Sequence, residues 1–166
     1  VRRLAGEFGY AVAATPTCEI AGERVSSTRI RAALHSADFG EAERLLGRPF
    51  EMAGRVQHGK KLGRELDAPT ANIALRRTRS PLRGVYAVKV WGGCLSEACG
   101  VANVGVKPTI GESLEATLEV HILEGSPELY GDRLTVRFLH KLRDEQKFPS
   151  LDALKVGISR DKRKAR

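Results

Sequence analysis

At Pro49 the apolar residues of this chain change their period, and that change confines the fold more than any other feature. From there on apolar and polar side chains alternate, as in Leu134-Thr135-Val136-Arg137-Phe138, the pattern of a half-buried strand. Candidate strands are Phe50–Gln57, Thr70–Leu75, Gly84–Val90, Leu95–Val104, Leu118–Leu123 and Leu134–Phe138. Gly92-Gly93, Lys107-Pro108, Gly125-Ser126-Pro127 and Tyr130-Gly131-Asp132 supply turn signals between them. Six short strands in about ninety residues, with no helix between them, predict a mainly β chain closed into a small antiparallel barrel. Ser150 then caps a terminal helix, and Leu151, Leu154 and Ile158 recur at the spacing that would lay it against the barrel.

Residues 1–48 keep the helical period. Val1 to Phe8 is helical in pattern, Ala11 to Ala14 is expected as a buried strand, and Thr15-Pro16 breaks it. Ser26-Ser27-Thr28 offers hydroxyl caps to a helix Arg29–His35 whose apolar side is Ile30, Ala33 and Leu34. Asp38 caps a second helix, Phe39–Leu46, which Gly47 stops. This α/β segment is too short to close a core alone, and a first residue inside a helical pattern reads as a piece of a longer chain.

Apolar residues make up 42% and charged residues 29% of the 166, a soluble globular balance. No apolar run approaches the ~20 residues needed to span a bilayer, and no basic-then-apolar leader is present. The formal charge of +8 and a pI near 9.8 favour polyanions, whether nucleotides, nucleic acids or acidic membranes. Much of that excess lies in Arg76, Arg77, Arg79 and Arg83 and in the tail from Arg160 to Arg166, where solvated surface charge explains it as well. Cys18, Cys94 and Cys99 are too few for a disulfide framework and read as free thiols in a reducing cytoplasm. His35, His58, His121 and His140 do not fall at zinc-ligand spacing.

Three places carry candidate chemistry. The stretch from His58 to Asn72 begins as a glycine-and-base loop suited to a polyphosphate and ends in Pro69-Thr70-Ala71-Asn72. On an extended backbone Thr70 and Asn72 share a face, so a hydroxyl and a carboxamide can serve one hard cation held jointly with phosphate. In Leu118-Glu119-Val120-His121-Ile122, alternation sets Glu119 and His121 opposite the apolar residues. That suits Glu119 as a base for an attacking hydroxyl, and equally as an exposed strand glutamate. Leu142 to Phe148 is a charged loop ending in an aromatic. It could hold a planar ligand, although its spacing fits better a loop in which Phe148 plugs the barrel.

Eight segments together resemble riboflavin kinase: Gly54-x-Val56-x-x-Gly59, Gly63-Arg64-x-Leu66, Pro69-Thr70-Ala71-Asn72, Gly84-Val85-Tyr86, Ala102-Asn103-Val104-Gly105, Leu118-Glu119-Val120-His121, Leu129-Tyr130-Gly131 and Leu142-Arg143-Asp144-Glu145-Gln146-Lys147-Phe148. They run in the family's order across residues 49–166. The resemblance implies a six-stranded Greek-key-type barrel that phosphorylates riboflavin from ATP and Mg2+ to give FMN. It assigns Thr70 and Asn72 to Mg2+ and the ATP phosphates, and Glu119 to the terminal ribityl hydroxyl as base. Gly59 and Arg64 would line the phosphate loop, with Ile122, Glu124 and Tyr130 near the nucleotide. Arg143, Gln146 and Phe148 would contact the flavin.

Residues 1–48 extend the resemblance. Val25-Ser26-Ser27-Thr28-Arg29-Ile30-Arg31 is similar to the closing motif of the FMN adenylyltransferase domain fused to this kinase in bacterial bifunctional riboflavin kinase/FAD synthetases. There Ser27, Thr28 and Arg31 would stand at ATP phosphates, a use suited to helix-start amides and a guanidinium. The rest of that domain is not in the chain, so FAD synthesis is expected only of the intact protein. One departure falls before Pro69. Asp67-Ala68 replaces the family's usual glycine and bulky apolar residue, and a carboxylate beside phosphates predicts weakened ATP affinity. A cytoplasmic enzyme follows, with ATP/ADP and riboflavin/FMN as partners, no membrane, and oligomers left to the full-length protein. A catalytically silent flavin- or nucleotide-binding module is one alternative. A nucleic-acid-binding barrel is another, against which stand the 5% aromatic content and the lack of an interleaved aromatic strand for base stacking.

Overall fold

The computed structural model describes residues 2–13, 16–58, 69–75, 77, 79–108, 114–146 and 148–165. In chain order its elements are α1 (Arg2–Phe8), β1 (Glu19–Ile20), β2 (Glu23–Arg24), α2 (Ser27–His35) and α3 (Phe39–Leu46). The barrel strands follow: β3 (Glu51–Gln57), β4 (Ala71–Ala74), β5 (Gly84–Gly92), β6 (Leu95–Pro108), β7 (Leu114–Ile122) and β8 (Arg133–Arg143). A last helix, α4, spans Leu151–Lys164.

The six strands close in the order β3-β4-β7-β6-β5-β8, every pair antiparallel. Strands β5, β6 and β7 are consecutive neighbours and β8 returns beside β5, which is the Greek-key order. Strands β3 and β4 complete the ring. Met52, Val88, Val90, Val104, Leu118, Val120, Leu134 and Val136 are fully buried and fill the interior from alternate positions. Gly54 is required where β3 meets β4: a Cβ there would lie 2.7 Å from Ile73 Cγ2 and collide with the Ala74 carbonyl.

Helices α2 and α3 share this core. Ser26 Oγ accepts from the Arg29 amide at 3.3 Å, and Asp38 Oδ1 accepts from the Glu41 amide at 2.9 Å, so each helix starts where a side chain satisfies its first amides. Gly47, at φ 69°, ends α3 in the left-handed conformation. Phe39 at the start of α3 lies 5.9 Å from the Tyr86 ring, edge-on, and 6.1 Å from Phe138, stacked. That aromatic cluster joins the helical pair to the barrel.

Several expectations shift. Residues 11–13 are exposed and not strand, so the buried strand expected at Ala11–Ala14 does not form over them; Ala14 itself lies outside the described residues. Small side chains with no neighbouring strand among the described residues offer too little burial to order such a run. Between α1 and α2 the chain instead makes the β1–β2 hairpin, turning through Ala21 and Gly22 at φ 53° and 76°. Lys107-Pro108, expected as a turn, ends β6 in register with Glu115 and Leu114. Proline is tolerated at a strand end because it lacks only a donor. Strand β8 runs past Phe138 to Arg143 because its pairing with β5 continues after the apolar alternation stops.

Candidate active site

A single row of cross-strand partners crosses the barrel's outer face. Asn72 on β4 pairs with Glu119 on β7, Glu119 with Asn103 on β6, Asn103 with Val85 on β5, and Val85 with Arg143 on β8. Directly opposed residues of an antiparallel pair project to the same side. Leu118 and Val120, flanking Glu119, are 1% and 0% exposed inside the barrel, so Glu119 faces outward. The carboxylate thus stands between two carboxamides. Its Oε1 accepts from Lys107 Nζ at 2.5 Å.

Pro69 and Thr70 reach this face through His121. The imidazole is buried, and its Nδ1 lies 2.9 Å from the Pro69 carbonyl. Burial pushes the His121 pKa down, with the bond to Pro69 working in the other direction. The neutral ring with a proton on Nδ1 donates to that carbonyl and ties the residue before Thr70 to β7. Thr70 and Asn72 are both half-buried and offer neutral oxygens. Among the described residues no group of three or more His, Cys, Asp or Glu could hold a metal ion. That donor set still fits Mg2+, which takes few protein ligands and completes its shell with phosphate oxygens and water.

Arg143, expected at the flavin, is held by α4. Its Nε lies 3.2 and 3.0 Å from the two carboxylate oxygens of Asp161 on α4, and its Nη2 lies 2.8 Å from Oδ2. Among the described side chains of that helix Asp161 is the buried one, at 3% exposed. Leu154 and Ile158 are half-buried, and the Leu151 side chain lies outside the described set. The Phe148 ring sits 5.4 Å from the Arg143 guanidinium and fills space at Gly157 of α4, where a Cβ would come within 2.6 Å of it. Phe148 therefore packs between Arg143 and α4. Gln146 is exposed on the same loop.

The residues expected near the nucleotide differ in their surroundings. Tyr130 stacks on His58 at 4.1 Å between centroids, with 28° between planes. Ile122 is 6% exposed and belongs to the core, leaving its backbone as its route to any ligand. Glu124 is exposed. Gly59, Arg64 and the Asp67-Ala68 departure lie outside the described residues. Ser27, Thr28 and Arg31 are exposed at the start of α2, while Ser26 is the cap.

Sequence reading missed Lys107, Asn103, Glu145, Gly157 and Asp161. Asn103 and Glu145 stood inside quoted motifs, and a glycine in the middle of a helix was a visible signal for Gly157. Lys107 was absorbed into a turn and Asp161 into a basic tail.

The Greek-key barrel thus sets a carboxylate between two carboxamides on its outer face. The family model described as flavokinase, riboflavin kinase, matches residues 46–166. A Pseudomonas fluorescens bifunctional riboflavin kinase/FMN adenylyltransferase is 53% identical over 164 residues, covering 95% of this chain and 50% of that protein. The Escherichia coli K12 protein of the same description is 46% identical over 160 residues, covering 96% and 51%. The chain spans about half the length of these curated relatives. A Streptococcus pneumoniae crystal structure described as a macrolide-efflux protein aligns with a TM-score of 0.76 at 34% identity, over 98% of this chain and 53% of that one. Riboflavin kinase from Trypanosoma brucei aligns at 0.53 and 24% identity over 70% and 77%, a likeness of fold. The chain belongs to the riboflavin kinase family, and its class is that of the phosphoryl-transferring kinases.

Proposed function

We propose that this chain transfers the γ-phosphoryl group of ATP to the terminal ribityl hydroxyl of riboflavin, producing FMN and ADP. The observation that carries the reading is the register of Glu119, which sets a carboxylate beside Asn72 on an outward, partly exposed face. Glu119 accepts the hydroxyl proton as the ribityl oxygen bonds to the γ-phosphorus and the bond to the β,γ-bridging oxygen breaks. Thr70 and Asn72 would hold Mg2+, which when bound would supply charge stabilisation at the phosphates. His121 keeps Pro69 and Thr70 in place through the Pro69 carbonyl. Tyr130, Glu124, Gly59 and Arg64 serve the nucleotide. Phe148, Gln146 and the Arg143 end of β8 border the flavin. Positioning supplies most of the rate, since a loose phosphoryl-transfer transition state asks little covalent chemistry of the protein.

Residues 1–48 are assigned to the end of an FMN adenylyltransferase domain and residues 49–166 to the kinase. The intact protein would then also convert FMN to FAD in the cytoplasm, and this chain would not. Among the described residues no helix is long and apolar enough to cross a membrane. The test is to incubate the folded chain with riboflavin, ATP and Mg2+ and to separate the flavins. FMN should accumulate without FAD, and no FMN above background refutes the reading. Asn72→Ala should raise the Mg2+ concentration needed for half-maximal rate, and an unaltered metal dependence removes Asn72 from the metal site.

A further inference from the structure

Glu119 stands between two competing attractions, and only one of them leaves it free to act as a base. On one side its cross-strand partner is Asn72, the residue read as a Mg2+ ligand. A hard cation there prefers a carboxylate oxygen to a carboxamide, so Glu119 is a natural extra ligand for it. A carboxylate drawn onto the metal is a poor acceptor for a hydroxyl proton. On the other side is Lys107, whose ammonium holds Glu119 Oε1 at 2.5 Å.

That contact is not one the ladder provides. Lys107 opposes Glu115, and the direct partner of Glu119 on β6 is Asn103. Lys107 reaches Glu119 by leaning back along β6, past position 105 on the same face. Gly105 occupies that position and has no side chain to block the way. The space above it is tightly filled, since a Cβ at Gly105 would collide with Glu145 Oε1 and come within 3.5 Å of Thr117 Oγ1. Glu145 is itself drawn to Arg83, with Nε to Oε2 at 3.0 Å. Each carboxylate beside Gly105 thus has its own cation. The Lys107 and Glu119 side chains are 48% and 30% exposed, and pairs so exposed add little to stability. What this one fixes is direction.

We infer that Lys107 is a positioning residue that tethers Glu119 toward β6, keeping the carboxylate off the cation at Asn72 and available to the substrate hydroxyl. The inference rests on the assignment of Glu119 as base and of Asn72 as metal ligand. Lys107→Met and, as a second neutral variant, Lys107→Gln remove the tether without touching the core. Both should lower kcat roughly tenfold or more, within the range that general-base catalysis contributes, while the KM for riboflavin stays within about twofold. Lys107→Arg should restore most of kcat. In a Glu119→Gln background the Lys107 changes should add nothing further, because the carboxylate they release is already gone.

The second readout needs no turnover. Mn2+ titrated into the ADP-loaded enzyme, followed by paramagnetic resonance of the free ion, should bind several-fold more tightly to Lys107→Met than to wild type. Adding Glu119→Gln should return the affinity to that of the Glu119→Gln enzyme. Unchanged kcat in both neutral variants, or unchanged Mn2+ affinity in Lys107→Met, overturns the tether. Full activity in Glu119→Gln overturns the assignment of the base beneath it, and the two failures are told apart by which variant stays active.

Discussion

Removing the carboxylate of Asp161 tests whether α4 is held to the barrel by charge. In the folded chain Asp161 is 3% exposed and meets Arg143 through contacts of 2.8, 3.0 and 3.2 Å. Asp161→Leu leaves Nε and Nη2 of Arg143 without that partner, while the Nη1 bond to the Asp144 carbonyl at 3.0 Å and the Phe148 ring at 5.4 Å remain among the described residues. Deleting one member of a buried pair costs about 3–5 kcal/mol, because the other charge stays in place uncompensated. The Arg143 side chain is 24% exposed, so water recovers part of this, and a loss of about 2–3 kcal/mol is expected. For a chain of this size each kcal/mol moves Tm by roughly 2–4 °C, which predicts a fall of about 4–12 °C. Calorimetric melting measures it, and amide exchange across α4 shows whether the helix loosens first. The double variant Arg143→Met with Asp161→Leu should recover most of the loss, since a buried pair exchanged for apolar groups of similar volume is often neutral. A single variant melting within about 1 °C of wild type, or a double variant worse than either single, refutes the reasoning.

Three further outcomes are expected. Glu119→Gln should lower kcat about 10²–10⁴-fold while riboflavin affinity, measured by fluorescence quenching, changes little; equal turnover would move the base elsewhere. Because burial holds the His121 pKa below the ordinary 6.5, the folded chain binds fewer protons than the unfolded chain just below that pH. Its contribution to stability is full above about pH 6.5 and is lost as pH falls toward the folded pKa, so urea midpoints should drop between pH 7.5 and 5.5, and by less in His121→Asn. Phe39→Ala should cost about 3–5 kcal/mol by opening a cavity against Tyr86 and Phe138, read from the same urea melts, and a loss under about 1 kcal/mol would mean that α3 is not anchored there.

What could be seen in the sequence was whatever alternation encodes. All six barrel strands were visible because Met52, Val104, Leu118, Leu134 and their neighbours must face inward at every second position. Parity likewise put Glu119 opposite Leu118 and Val120. Strand order was hidden, because no local pattern says that β4 skips two strands to pair with β7. Without that pairing Asn72 and Glu119 are unrelated residues on separate runs. Strand ends were misjudged where hydrogen bonding outlasts apolar alternation, as at Pro108 and Arg143. The charged contacts were least legible. Lys107 and Asp161 look like surface residues, and only the folded chain shows one reaching across Gly105 and the other buried beneath Arg143.

The row from Asn72 to Arg143 draws one residue from each of five of the six barrel strands. The proposed site, assembled in this way, has no partly functional precursor. A hairpin of β5 and β6 brings Asn103 and Val85 together, yet it holds neither the carboxylate nor its amide neighbour from β4. Competence must therefore appear only as the ring closes, and in a refolding experiment activity should return with the slowest structural phase rather than ahead of it.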